Sequence, residues 1–176
     1  MDTRINEMMR LLEVGGIVSL LLPISGLSAE LRSSETIEPI DLVKAIYIVD
    51  LEHVAMYWND WRNFEKFVLC IPLTDGKVHS YLNRMEQYLA WQLALRENAG
   101  QLMTYPNPSQ IVRQIVFDAE QIAGERERKK IPPSSCDLMF SVCKHDRSLS
   151  ETLQHAGLQF ELLQKEVAGP GAGASR

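Results

Sequence analysis

Two stretches of this chain, 96 positions apart, read alike, and no other feature limits its possible folds so strongly. Ile37-Glu38-Pro39-Ile40-Asp41-Leu42 leads into an apolar run that closes at Asp50. Residues 131–138, with Pro132, Pro133, Asp137 and Leu138, lead into a second run that closes at Asp146. Asp41 to Asp50 is nine residues, and so is Asp137 to Asp146. At the same offset Phe64 matches Phe160 and Phe67 matches Leu163. A helical stretch precedes each turn, over about 17–31 and 111–127. One half therefore reads as helix, proline-bearing turn, helix, short helix, short helix. Self-similarity of this kind means one supersecondary unit used twice, each copy leaving an apolar face for its neighbour to close.

The periodicity elsewhere is helical too. Leu82, Met85, Leu89 and Leu93 fall on one face at spacings of three and four, with Tyr88 and Trp91 beside them. That pattern predicts a helix over 78–98, stopped at Gly100. Residues 105–109 form a loop, and Ser109 is placed to cap a helix carrying Ile111, Ile115, Ala119 and Ile122 on one face. Strand signals are scarce: Asp75-Gly76 has no alternating flanks. The expected fold is all-α, two pseudo-repeated helical units packed as one bundle with an inserted long helix between them. A single domain spans 1–168, with repeat 1 over about 7–70, the inserted helix over about 77–100 and repeat 2 over about 108–167. The Gly- and Ala-rich residues 169–176 are expected to be a flexible tail.

Charge and composition remove several function classes. The 45% hydrophobic and 23% charged content is that of a globular chain. A net charge of −5 argues against phosphate neutralisation, hence against a nucleic-acid partner. The basic run 126–130 is expected to close a helix, where cations face the negative end of the dipole. The apolar stretch 14–27 contains Gly15, Gly16, Pro23 and Gly26 and falls short of the roughly 20 residues a bilayer span needs. Buried core is its expected place, and no membrane partner is expected. Asp2, Arg4 and Glu7 interrupt any early apolar run, so no secretory signal is read. Cys70, Cys136 and Cys143 are odd in number and lack a framework spacing, which points to reduced thiols and a cytoplasmic location.

The second half resembles the repeat of the Clp ATPase N-terminal domain. The similarity lies in the Ala- and Glu-bearing helix Asp118-Ala119-Glu120-Gln121-Ile122-Ala123 and the turn into Asp137-Leu138. It continues through Leu153-Gln154-His155-Ala156-Gly157-Leu158 to Leu162-Leu163, where glycine ends one short helix and an apolar residue starts the next. The first half matches more loosely, with Trp61 where the glycine should stand. The match covers about two-thirds of the chain and rests on degenerate motifs, with 77–98 as an insertion. The resemblance implies a stand-alone module that binds substrates or adaptor proteins and has no catalytic activity of its own. Some members of that family recognise phosphorylated arginine through a glutamate before the second helix of each repeat. Those positions are Ile40 and Cys136 here, so that activity is not carried over.

The densest aromatic segment is Tyr57-Trp58-Asn59-Asp60-Trp61-Arg62-Asn63-Phe64. Tyr, Trp and Arg are enriched at interface hot spots because they bury large rigid surface and keep a polar handle. Tyr57, Trp58, Trp61, Arg62 and Phe64 are the candidate partner-binding residues. Spacings of four and three put Tyr57, Trp61 and Phe64 on one helical face, expected in the core; Trp58 and Arg62 then share a neighbouring face for a partner. No metal is expected. Cys143-x-His145 is too tight for a zinc pair, while Cys136 and His155 sit on other turns. His53 and His79 read as surface residues or satisfied hydrogen-bonders.

Nothing announces catalysis. There is no phosphate-cradling loop ending in Gly-Lys-Ser/Thr and no Gly-x-Ser-x-Gly elbow. Pairs such as Glu52 with Asp60, or Glu38 with Asp41, arise by chance among 23 acidic residues. The expected function is therefore a non-catalytic, adaptor-like module that binds another protein or an extended peptide, without cofactors. Its acidic balance points to basic partner segments. The alternatives are an all-α enzyme whose site is assembled from distant residues, and a DNA-binding protein disfavoured by charge.

Overall fold

The computed structural model describes residues 3–69 and 106–170. The expected inserted helix, Cys70, His79 and Trp91 lie outside the described residues. In chain order the elements are α1 (Thr3–Leu12), α2 (Val18–Leu31), β1 (Thr36–Ile37), α3 (Pro39–Val54), a 3-10 turn (Ala55–Tyr57) and α4 (Trp61–Leu69). After the undescribed stretch come β2 (Asn107–Pro108), α5 (Gln110–Glu127), α6 (Ser135–His145), α7 (Arg147–His155) and α8 (Phe160–Ala168). The fold is mostly helical. Its one sheet among the described residues is the short parallel pair β1–β2, which pairs Thr36 with Asn107 and Ile37 with Pro108. Sequence reading had no signal for it, because two residues carry no alternation.

Local chemistry sets the helix boundaries. Ser109 caps α5, its hydroxyl accepting from Val112 N at 3.3 Å. Ser134 caps α6, accepting from Asp137 N at 3.2 Å, while Asp137 accepts in return from Ser134 N at 2.9 Å. Asp41 takes the same place in α3, accepting from Glu38 N at 2.8 Å. Both α3 and α6 open with a buried aspartate at their third residue. Each carboxylate is gripped by an arginine from the end of the preceding helix, Arg32 for Asp41 and Arg126 for Asp137. The second aspartate of each run also acts alike. Asp50 leaves helical geometry at φ −140, ψ 36 inside α3, and Asp146 separates α6 from α7 at φ −123, ψ 92.

The spacing of 96 holds from Pro39 and Ser135 to these breaks and then slips. Helix α4 begins at Trp61 and α8 at Phe160, 99 positions apart. Phe64 and Val68 are buried in α4, and Leu163 and Val167 in α8. Phe64 thus corresponds to Leu163, not to Phe160, which stacks on Phe140 with ring centroids 5.5 Å apart. Trp61 likewise opens a helix and does not stand at the place of Gly157. A longer connection accounts for the slip: residues 147–159, with the whole of α7, separate Asp146 from α8, whereas only 51–60 separate Asp50 from α4.

One hydrophobic core runs through both halves. Leu21, Leu22, Leu42, Ile46 and Phe64 join Ile115, Leu138, Val142 and Leu163 in one buried cluster. Helices α3 and α6 meet across it. The apolar stretch 14–27, read as core, is so in part: Leu21, Leu22, Ile24 and Leu27 of α2 are buried, whereas residues 14–17 lie in the turn before it and Leu20 is exposed. No helix among the described residues is long and apolar enough to cross a membrane. Gly16 sits tight against the segment before α6. At φ +57, a Cβ there would lie 2.5 Å from Pro132 Cβ, so the α1–α2 turn can seat against the turn before α6 only as glycine.

Candidate functional site

The aromatic segment is placed differently from its sequence expectation. Trp58 is buried, stacked on Phe64 with centroids 4.4 Å apart and planes 5° from parallel, and Phe64 meets Tyr47 edge-on at 5.3 Å. Tyr57 is buried too, and burial pushes its hydroxyl up to about 12. Trp61 is instead 45% exposed. The reason is a break in the helix. Trp58 takes an extended conformation at φ −112, ψ 140, and α4 begins only at Trp61, so the four-and-three spacing does not describe one helical face. Trp58 therefore belongs to the core, and of the five candidates only Trp61 and Arg62 face solvent. Arg62 is already engaged: its Nε donates to both Asp60 oxygens at 3.0 and 3.1 Å, which holds the Asp60 carboxyl below its ordinary range.

The segment's backbone has a separate task. Trp58 and Leu158 form an antiparallel bridge, flanked by Asn59 N donating to Gly157 O at 3.0 Å and Gln159 N donating to Tyr57 O at 2.7 Å. These bonds fasten the loop before α4 to the loop before α8.

A broad groove of about 700 Å³ opens between α1 and α5. At one end Glu7 of α1 accepts from Asn107 Nδ2 at 2.9 Å and pairs with Arg113. At the other, Asp118 accepts from Lys144 Nζ at 3.3 Å and contacts His145 Nε2 at 3.1 Å. Between them α5 presents Gln110, Gln114, Phe117 and Gln121, and Arg10 lines the facing side. Phe117 is 44% exposed although it sits mid-helix. Among the described residues no serine, threonine, cysteine or tyrosine lines the groove. Ser141, next to Asp118, is buried and donates to Ile115 O at 2.8 Å. Sequence reading missed the groove because it fixed on the inward face of α5 and passed over the outward Gln-Arg-Gln-Phe row.

The thiols and histidines weighed for metal disperse. Cys136 and Cys143 are buried and free, and burial pushes them up to about 12 and about 11. Cys136 Sγ donates to His53 O at 3.4 Å, whereas His145 turns to Asp118. Among the described residues no group of three His, Cys, Asp or Glu side chains could hold a metal ion. The acid–base pairs considered from sequence are also engaged elsewhere, Asp41 with Arg32 and Asp60 with Arg62. Of the basic run Arg126 alone turns inward, reaching Asp137 and Val167 O; Arg128 ends α5 and, like Lys129 and Lys130, is exposed.

No family model, curated protein or solved structure matches the chain.

Proposed function

We propose that this chain is a non-catalytic peptide-binding module made from a duplicated helical unit, and that its binding site is the α1–α5 groove. The observation that carries the reading is the exposed row Gln110, Gln114, Phe117 and Gln121 along one side of an open groove. Glutamine amides donate and accept at once, which suits the backbone of an extended segment, and an aromatic ring gives one side chain an apolar seat. Duplication is supported by the paired Arg–Asp grips and by the parallel order of breaks in the two halves. The resemblance to the Clp N-terminal repeat rests on the sequence, and the glycine it turns on, Gly157, adopts φ +113 before α8.

An enzymatic reading has one observation in its favour, the Asp118–His145 contact at the groove. Against it stand the ion pairs that already engage Glu7 and Asp118 and a lining that, among the described residues, holds no hydroxyl or thiol. The test is nitrogen-15 NMR of the full chain against pools of unstructured peptides. Shifts clustered at Gln110, Gln114 and Phe117, lost in Phe117→Ala, are expected. Shifts centred on Trp61 and Arg62 would move the site to the aromatic segment. No shifts anywhere would remove the peptide-binding reading.

A further inference from the structure

The charges lining the groove are not those of the whole molecule. Glu7 and Arg113 neutralise one another at one end. At the other, Asp118 is matched by Lys144 and contacts His145. That leaves Arg10, which lines the groove, is exposed, and has no ion-pair partner among the described residues. The formal −5 of the chain therefore sits elsewhere, and the groove offers a ligand one uncompensated guanidinium. Guanidinium pairs best with a planar carboxylate, to which it can present two parallel donors. The other unsatisfied feature is Phe117, whose ring is half-exposed in the same groove. From Gln110 to Gln121 the lining helix rises about 16 Å, enough for about five residues of extended chain.

We propose that the groove selects a short acidic peptide segment, with a carboxylate side chain on Arg10 and an apolar side chain on Phe117. This reverses the preference for basic partners that the overall composition suggests, because a bound segment experiences the charges within a few ångströms, while those farther than a Debye length are screened. It rests on the peptide-binding reading above and adds the ligand class to it. Arg113 and His145 do not compete for the carboxylate, since each is held by a carboxylate of the protein itself. The three glutamines contribute register, not charge.

The test uses the full chain and three capped five-residue peptides identical except at one position, Asp, Asn or Lys, each with a phenylalanine two residues on. Fluorescence polarisation should rank them Asp, then Asn, then Lys, with the Asp peptide weakened as salt rises. Arg10→Ala should lower affinity for the Asp peptide about tenfold and leave the Asn peptide nearly unchanged, the effect of losing one charge-assisted contact. Arg10→Glu should invert the order of Asp and Lys. Phe117→Ala should weaken all three alike. Both positions are exposed, and an unchanged melting temperature in each variant would show that folding is intact. If the Lys peptide binds best, or Arg10→Ala treats Asp and Asn equally, the selectivity is overturned while the groove stands. If none binds and randomised peptides give no shifts along α5, the groove itself falls.

Discussion

A carboxylate with no water around it must be held, and Asp41 and Asp137 show two ways of doing so. Both are fully buried. Asp41 accepts from Arg32 Nε at 2.8 Å, Ser28 Oγ at 2.7 Å and its own cap, with Lys44 buried close by. Asp137 has Arg126 and the Ser134 amide, and Arg126 in addition satisfies Val167 O at 3.1 Å. Removing one partner of a buried pair costs about 3–5 kcal/mol, because the remaining charge is stranded. Arg126→Ala should reach that range in urea denaturation, and Arg32→Ala should cost less, since Ser28 and Lys44 still face Asp41. Equal losses would mean these secondary partners contribute nothing. Lys44 allows a pH experiment. Burial pulls its amine down to about 8 from its ordinary 10.5. Its folded value lies below its unfolded one, so between roughly pH 8 and 10.5 the unfolded chain holds a proton that the folded chain has lost. Stability from this group therefore rises with pH across that window, and the cost of the buried charge is greatest below pH 8. Lys44→Met should melt higher than the parent at pH 7, with the gap closing towards pH 10. A constant gap would show that the amine titrates alike in the folded and the unfolded chain.

Helix ends decide where elements stop, and two of them use a residue poorly suited to the geometry. Helix α5 closes with Arg128 at φ 55, and the turn after α2 holds Ser33 at φ 56. A side chain in the left-handed region costs about 1–2 kcal/mol that glycine avoids. Arg128→Gly should raise the midpoint of denaturation by an amount worth about 1 kcal/mol, since Arg128 is exposed and only its backbone conformation is at stake. A loss would mean the arginine head makes a contact that matters more than its strain. Some elements were legible because their signals are local: Ser109 and the 3.6-residue periodicity of α5 appear where the sequence places them, while Pro39, read within the turn, is already the first residue of α3. The aromatic segment was misread for the same reason. Helical spacing was extended across 58–60, where the chain is not helical, and this exchanged the environments of Trp58 and Trp61. Nothing local in Tyr-Trp-Asn-Asp-Trp reports that Leu158 will pair with Trp58 from 100 positions away. The groove was illegible for a further reason, since α1 and α5 come together only in the tertiary fold.

At the scale of the molecule the question is whether the two halves can separate. Their seam is apolar at α3 and α6 and is fastened by the Trp58–Leu158 bridge and by Ser135 Oγ bonded to Asp50. Cys136 lies in this seam, between the backbone carbonyl of His53 and the Tyr57 hydroxyl, whereas Cys143 lies buried two helical turns further along α6, beside Ser150 of α7. Burial keeps both thiols protonated far above neutral pH, so a thiolate-specific reagent can reach either only through an opening of the fold. The rate at which each reacts then measures the free energy of the opening that exposes it. In a Cys70→Ser background, one continuous core predicts that Cys136 and Cys143 react at the same rate, and that both rates fall together when the fold is stabilised. Parting of the halves ahead of unfolding would expose Cys136 first. A difference of tenfold, about 1.4 kcal/mol between the two openings, would establish such a step. Leu158→Ala sharpens the comparison, because removing the buried side chain beside the bridge should accelerate both thiols equally if the halves unfold as one body and Cys136 alone if they do not.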